Sequence, residues 1–265
     1  MEAEWGIIMK LKSLIEIIEK EYPPELAYDW DNPGLFYGDI NSEISKITVT
    51  LDITCEVVRQ AIQNGTQLIL SHHPVTMGGI KKLSDKSIQS ETITEAIKNN
   101  IAIYSAHTNM DTARNGINTR LAEMFELESI FVMEADKSYP DCGLGRVGKL
   151  KKPVSLNEFC ETVKQKLNTP FVRVCGSDRI ISFAAFASGS CSEYVPSAIK
   201  SGADVIVTAD MKYHNCIEYV HDGIAIIDAG HYPTENIVKD MFTELLRDTG
   251  AEIIPADTSD IFRVI

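Results

Sequence analysis

One unit recurs along this chain and constrains its fold more than anything else: the end of a helical stretch, a polar or glycine stop, a short apolar run, and then a residue able to hold a metal ion. It occurs as Gln63-Asn-Gly-Thr-Gln-Leu-Ile-Leu-Ser-His72, as Ile97-Lys-Asn-Asn-Ile-Ala-Ile-Tyr-Ser-Ala-His107, and as His221-Asp-Gly-Ile-Ala-Ile-Ile-Asp-Ala-Gly-His231. A fourth copy, Lys200-Ser-Gly-Ala-Asp-Val-Ile-Val-Thr-Ala-Asp210, also ends in a carboxylate. Helices alternating with buried apolar strands predict α/β layers, and the irregular spacing of the copies excludes a short-period solenoid. In such folds the crevice beyond the carboxyl ends of the strands is where sites are built. Five residues fall there: His72, His73, Asp111, His231 and Glu235. Imidazoles and carboxylates suit zinc, iron and similar metals, and five ligands exceed what one tetrahedral ion needs. The pattern therefore predicts a two-metal centre.

Around this unit the elements are legible. Leu11, Leu14, Ile15 and Ile18 recur at helical spacing over Met9–Glu21 until Pro23-Pro24 stops the pattern. Lys46–Leu51 reads as a strand, followed by a helix from Thr54 to about Gln63 that Asn64-Gly65 ends. Residues 129–178 differ in character, rich in β-branched residues and glycine with one helix near Ser155–Lys166. The expected organisation is two interlinked α/β domains, layered α/β/α with mixed sheets: 1–128 plus 228–265 as the metal-site domain, with 129–227 inserted as the second.

Charge and composition exclude several classes. The net charge of −13 argues against binding led by phosphate backbones, so nucleic acid is not the expected partner. The start of the chain lacks a secretory signal and no apolar run approaches a membrane span, which predicts a cytoplasmic protein. Six cysteines without a Cys-x-x-Cys pair predict reduced thiols that mostly pack.

Each candidate has a plainer rival. His72-His73 can face one crevice only if the strand has already ended, which Ser71 and Pro74 favour; Asp111 could be a simple helix cap; His231 and Glu235 could cap the helix that Pro233 opens. Their co-occurrence tips the balance, since four of six histidines, at 72, 73, 107 and 231, follow apolar strands. His107 reads as a supporting partner, a general base or a third imidazole, and His214 as a proton carrier or a surface histidine; both are the candidate catalytic residues. Gly143-Leu-Gly-Arg-Val-Gly148 matches a dinucleotide fingerprint in letters only, because no helix follows it. Ser188–Ser192 reads as a polar turn into a helix, an N-cap or an anion nest.

Taken together, Trp30-Asp-Asn-Pro-Gly-Leu35, Ser71-His-His-Pro74, Ala106-His-Thr-Asn-Met-Asp111, Gly143–Gly148 and Asp228-Ala-Gly-His-Tyr-Pro-Thr-Glu235 resemble the Nif-three-like family, also called type 2 GTP cyclohydrolase I homologues. The resemblance spans nearly the whole chain and matches the family's short form, without a large mid-chain insertion. It implies a toroidal homohexamer with two divalent ions per subunit, and three histidines with two carboxylates and no thiolate are compatible with iron, zinc, manganese, cobalt or nickel. It further implies one ion on His73, Asp111 and Glu235 and the other on His72, His231 and Glu235, with Glu235 bridging. The implied chemistry is hydrolysis of a small molecule, a nucleotide among the candidates, with His107 or His214 moving protons. The competing expectation is a non-enzymatic metal-binding scaffold, metal chaperone or regulatory interaction protein.

Overall fold

The recurring apolar runs all become strands, and the polar residues that follow them lie beyond the strands' carboxyl ends. A computed structural model describes residues 9–84 and 87–265. The expectation for the N-terminal segment lies outside the described residues, Met9 excepted. The chain divides into two units, one running to Met110 and resuming at Asn236–Ser259, the other comprising Asp111–Glu235 with Asp260–Ile265.

In the first unit β1 (Met9–Lys10) leads into α1 (Leu11–Glu21), which buries Leu11, Leu14 and Ile18. The helical pattern thus begins two residues later than its periodicity suggests, because Met9 and Lys10 pair with Ile44 and Glu43. Next come β2 (Gly34–Tyr37), β3 (Glu43–Ile44), β4 (Lys46–Thr50), α2 (Cys55–Asn64), β5 (Leu68–Ser71), α3 (Ile88–Lys98) and β6 (Ala102–Ser105). Thr54 caps α2 by accepting from the Val57 N–H at 3.2 Å, and Gly65, at φ 66°, ends it in the left-handed conformation that costs glycine little. Strands β4, β5 and β6 are parallel and β2 is antiparallel on β6. Val57, Val58 and Ala61 of α2 pack with Ile69 and Ile103 on one face. Alternation sends Leu68 and Leu70 to the other. The short helix α4 (Thr108–Thr112) then carries the chain across the boundary.

The second unit contains α5 (Ile117–Met124), β7 (Glu128–Ala135), β8 (Gly143–Ser155), α6 (Leu156–Lys166), β9 (Arg173–Cys175), β10 (Ile180–Ser190), α7 (Val195–Lys200), β11 (Val205–Ala209), α8 (Tyr213–His221), β12 (Ala225–Asp228) and α9 (His231–Glu235). Its six-stranded sheet runs β7-β8-β10-β11-β12-β9, with β10, β11 and β12 parallel and the others antiparallel. Alternation builds two cores: Ala184, Phe186, Val205, Val207, Ala225 and Ile227 face α5 and α6. Ala185, Ala187, Ile206 and Ile226 instead face α7 and α8. Ser155 and Glu158 form a reciprocal capping box at the start of α6. Back in the first unit, α10 (Val238–Leu246) packs on β4, and β13 (Glu252–Pro255) adds parallel to β4 to complete a five-stranded sheet.

The division differs from the sequence expectation of 1–128 plus 228–265. Residues 111–128 lie in the second unit because Leu121, Ala122, Phe125 and Leu127 belong to its core. Residues 228–235 do so because Asp228 ends β12 of its sheet. The glycine-rich Gly143–Gly148 segment opens strand β8, which runs on to Ser155, so the glycines do not form the strand-to-helix turn that the dinucleotide fingerprint requires. Gly143 is required there: at φ 139°, a Cβ would lie 2.1 Å from the Glu134 carbonyl oxygen. Arg146 is buried, and its guanidinium donates to the carbonyls of Gly143, Gly145, Ala113 and Arg114. Ser188–Ser190 end strand β10 rather than forming a nest, since the Ser188 and Gly189 N–H groups donate to Asn118 Oδ1 and Thr234 Oγ1.

Candidate metal centre

In the first unit the ends of three adjacent parallel strands present polar side chains. Asp52 follows β4, His72 and His73 follow β5, and His107 follows β6. Ligand atoms of His72, His73 and His107 lie within 4.8 Å of one another, and their rings pack with centroids 5.1–5.5 Å apart. His72 is fully buried, and the other two are partly exposed. The Ser71–Pro74 exit lets consecutive histidines face one place, and the Ser71 hydroxyl fixes it by donating to the His73 carbonyl at 2.8 Å.

Every Nδ1 in this cluster is tied to an oxygen. His73 Nδ1 lies 2.7 Å from Asp52 Oδ1, His107 Nδ1 lies 2.7 Å from Asp31 Oδ1, and His72 Nδ1 lies 2.8 Å from the Ala106 carbonyl. A carbonyl or carboxylate only accepts, so Nδ1 donates in each pair, which leaves Nε2 as the ring nitrogen that can face the cluster. Burial pushes the Asp31 carboxyl up, but hydrogen bonds from His107 and Thr108, the charge of His107 and the Asn32 N–H outweigh it and hold the pKa down to about 2. Asp31 is therefore an ionised acceptor throughout the physiological range.

The second unit repeats the device with a different cargo. Gly189 lies near the end of β10, Asp210 follows β11, and His231 opens the short helix after β12. His231 Nδ1 lies 2.7 Å from Asp210 Oδ2, and its Nε2 lies 2.9 Å from Glu235 Oε2 one helical turn on. Glu235 is buried, and Gly189 makes room for it: a Cβ there would stand 2.0 Å from Glu235 Oε1 and 3.2 Å from His231 Nε2. Asp111 is buried, with the Ser188 hydroxyl 3.5 Å from its Oδ1 and Asn118 Nδ2 donating to its carbonyl at 3.1 Å. It sits inside α4 rather than capping a helix. Burial pushes the Cys191 thiol well above its usual range, and the charges of Asp111 and Glu235 add to the shift. It remains a thiol donating to the Ser188 carbonyl, which leaves an imidazole and carboxylate donor set.

The sequence-derived residues thus fall into two groups, His72, His73 and His107 in one unit and Asp111, His231 and Glu235 in the other. His107 joins the imidazoles, one of the three readings its sequence position allows. His214 is exposed on α8 with its ring against Tyr213, and the close ligand groups found among the described residues do not include it. Sequence reasoning missed Asp31, Asp52 and Gly189, and it marked Asp210 as the end of the fourth copy without the bond that it makes to His231. A signal for two of them was present: Val49-Thr-Leu-Asp52 and Val207-Thr-Ala-Asp210 each precede their histidine by 21 residues, with Gly65 and Gly223 at matching places between. Each pair closes a strand–helix–strand arm. The donor set fits metal binding, because all four imidazoles are held by Nδ1 in the manner of ligating histidines and, within the second unit, the buried Glu235 carboxylate lies against His231.

A family model described as Duf34/NIF3 (NGG1p interacting factor 3) matches residues 9–260. A Clostridium acetobutylicum protein named "GTP cyclohydrolase 1 type 2 homolog" is 36% identical over 230 residues, covering 86% of this chain and 85% of the relative. Among solved structures, a Bacillus cereus protein related to NIF3 superposes with a TM-score of 0.91 at 24% identity, covering 98% of this chain and 100% of that one. Reduced HcgD from Methanocaldococcus jannaschii superposes at 0.83 with 32% identity, covering 96% and 100%. With this match over nearly its full length, the chain belongs to the Duf34/NIF3 family.

Proposed function

We propose that this chain is a metal-dependent hydrolase whose centre holds two divalent ions, with His73, Asp111 and Glu235 on one and His72, His231 and Glu235 on the other. The observation that carries the reading is the set of four Nδ1 hydrogen bonds, which turn four Nε2 atoms into oriented donors. The chain passes between units at Met110–Asp111 and at Glu235–Asn236, so two proposed ligands lie where the chain changes units. When bound, such a pair of ions lowers the pKa of water and polarises an electrophilic carbon or phosphorus.

The chain's own part is orientation. Asp52, Asp31 and Asp210 hold His73, His107 and His231 in one tautomer and raise their basicity. Glu235 has two oxygens and can serve both ions, provided Gly189 keeps its space open. His107 adds a fourth imidazole, able to ligate or to hold a proton at Nε2. The substrate class is a small molecule of the nucleotide type, in keeping with the curated relatives' name. The working form is a toroidal homohexamer in the cytoplasm; no described helix is long and apolar enough to cross a membrane.

The test is release of formate or phosphate from a nucleotide panel by metal-loaded protein. Turnover that falls to background in Glu235→Ala is the expected result. Background turnover in the wild-type protein with both ions bound would replace the hydrolase with the metal-binding scaffold.

A further inference from the structure

Trp30 is 61% exposed, yet it is held in place. Scattered exposed aromatics are ordinary on a protein surface. This one differs in its setting. Its ring stacks on Tyr28 with centroids 5.7 Å apart and planes 22° apart, and it meets His107 edge-on at 6.2 Å. The backbone on either side is fixed: the Tyr28 N–H donates to Thr108 Oγ1 at 3.1 Å, the Asp31 N–H to the Tyr28 carbonyl at 2.9 Å, and Asn32 Nδ2 to the Thr76 carbonyl at 2.8 Å. Directly after Trp30, Asp31 both holds His107 and lines a cavity of about 430 Å³ with Asn32, Pro33, Phe36, Gly78 and Gly79. That volume lies within the range of small-molecule sites, which combine apolar walls with a few fixed polar groups.

We propose that Trp30 is the stacking platform for a planar heteroaromatic ring, a nucleobase or its analogue, carried by the ligand that reaches the His72, His73 and His107 cluster. This deepens the hydrolase reading and rests on it for the reacting group, although stacking is measurable without turnover. With Tyr28 against one face, the indole offers a single face to a single ring, and its rotamer is already restricted, so binding orders little. The edge contact with His107 puts a ring stacked on that face within the length of one nucleotide of the imidazoles. Gly78 is tied to Thr76 through its N–H and carbonyl, and Gly79 beside it brings backbone with no side chain to the cavity, which favours a ligand with hydrogen-bonding edges over an aliphatic one.

The chain has two tryptophans, so Trp5→Phe leaves Trp30 as the single indole, excited selectively at ~295 nm, where tyrosine hardly absorbs. In that background, titration with GTP and guanosine should quench the emission saturably, whereas ribose 5-phosphate should not. Trp30→Ala should weaken guanosine binding, read by calorimetry, by roughly 5- to 100-fold, and Trp30→Phe should recover most of it. Equal guanosine affinity in Trp30→Ala, absence of guanosine binding in the wild-type protein, or quenching that follows protein concentration instead of ligand would overturn the proposal. The last outcome would assign the indole to contact with a second copy of the chain. Turnover with unchanged KM in Trp30→Ala removes the platform and leaves the hydrolase; base-dependent quenching without turnover does the reverse.

Discussion

The arm β4–α2–β5 and the arm β11–α8–β12 are the same device used for two chemistries. In each, an aspartate after the first strand holds the Nδ1 of a histidine that follows the second, 21 residues on and at 2.7 Å. The first arm ends in two histidines and gains a third from β6, so its donors are imidazoles held by oxygens behind them. The second ends in one histidine followed by a short helix, and its other donors are buried carboxylates. An imidazole needs a partner at its far nitrogen. A buried carboxylate needs space close to backbone, and Gly189 supplies it by lacking a side chain. The difference is between support that is added and an obstacle that is removed.

The largest effect that would test this contrast comes from Gly189→Ala. Its Cβ would collide with Glu235, and the residue sits at φ 62°, so a loss of roughly 1–3 kcal/mol in folding stability is expected together with displacement of the carboxylate. Chemical denaturation reads the first and metal titration the second, where a weakening beyond ~100-fold, the upper range for supporting residues, is expected. Unchanged metal affinity would show that Glu235 does not ligate.

Asp31→Asn comes next. The Asp31 side chain is fully shielded, so its loss should weaken metal binding near the ~100-fold end of the usual 10- to 100-fold range if His107 ligates. Asp52→Asn and Asp210→Asn should sit near the ~10-fold end, because their side chains are about half exposed and water can replace them. Equal losses in all three would contradict the claim that shielding decides the strength of support. The smallest effect is expected from His214→Ala, which should leave metal content unchanged. A fall in turnover at full metal occupancy would make His214 the proton carrier.

Much of this was legible in the amino-acid order. The apolar runs at 68–71, 102–105 and 225–228 announced buried strands, and the histidines after them announced where side chains would gather. Strand β5 ends at Ser71, and although the His72 and His73 N–H groups still donate to the Thr50 and Leu51 carbonyls, the Ser71 hydroxyl and Pro74, both readable locally, turn the chain there. The supporting aspartates were less visible, since Asp31 lies 76 residues from His107 and only the fold makes them neighbours. Gly189 was read as part of a polar turn because the space a missing Cβ leaves depends on Glu235, far along the chain. The compact units divide the chain differently from the expected domains for a similar reason: α5 looks like a continuation of the first half until Phe125 is seen in the second core, its ring centroid 4.5 Å from that of Phe186.

The central claim is that the imidazole group and the carboxylate group serve one pair of ions. Its most direct measurement is anomalous scattering from crystals of the metal-loaded protein. The account predicts two peaks about 3.5–4 Å apart, both within coordination distance of Glu235, with His72 and His73 on different peaks. A single peak, or peaks that leave His72 and His73 on one side and Asp111, His231 and Glu235 elsewhere, would contradict it.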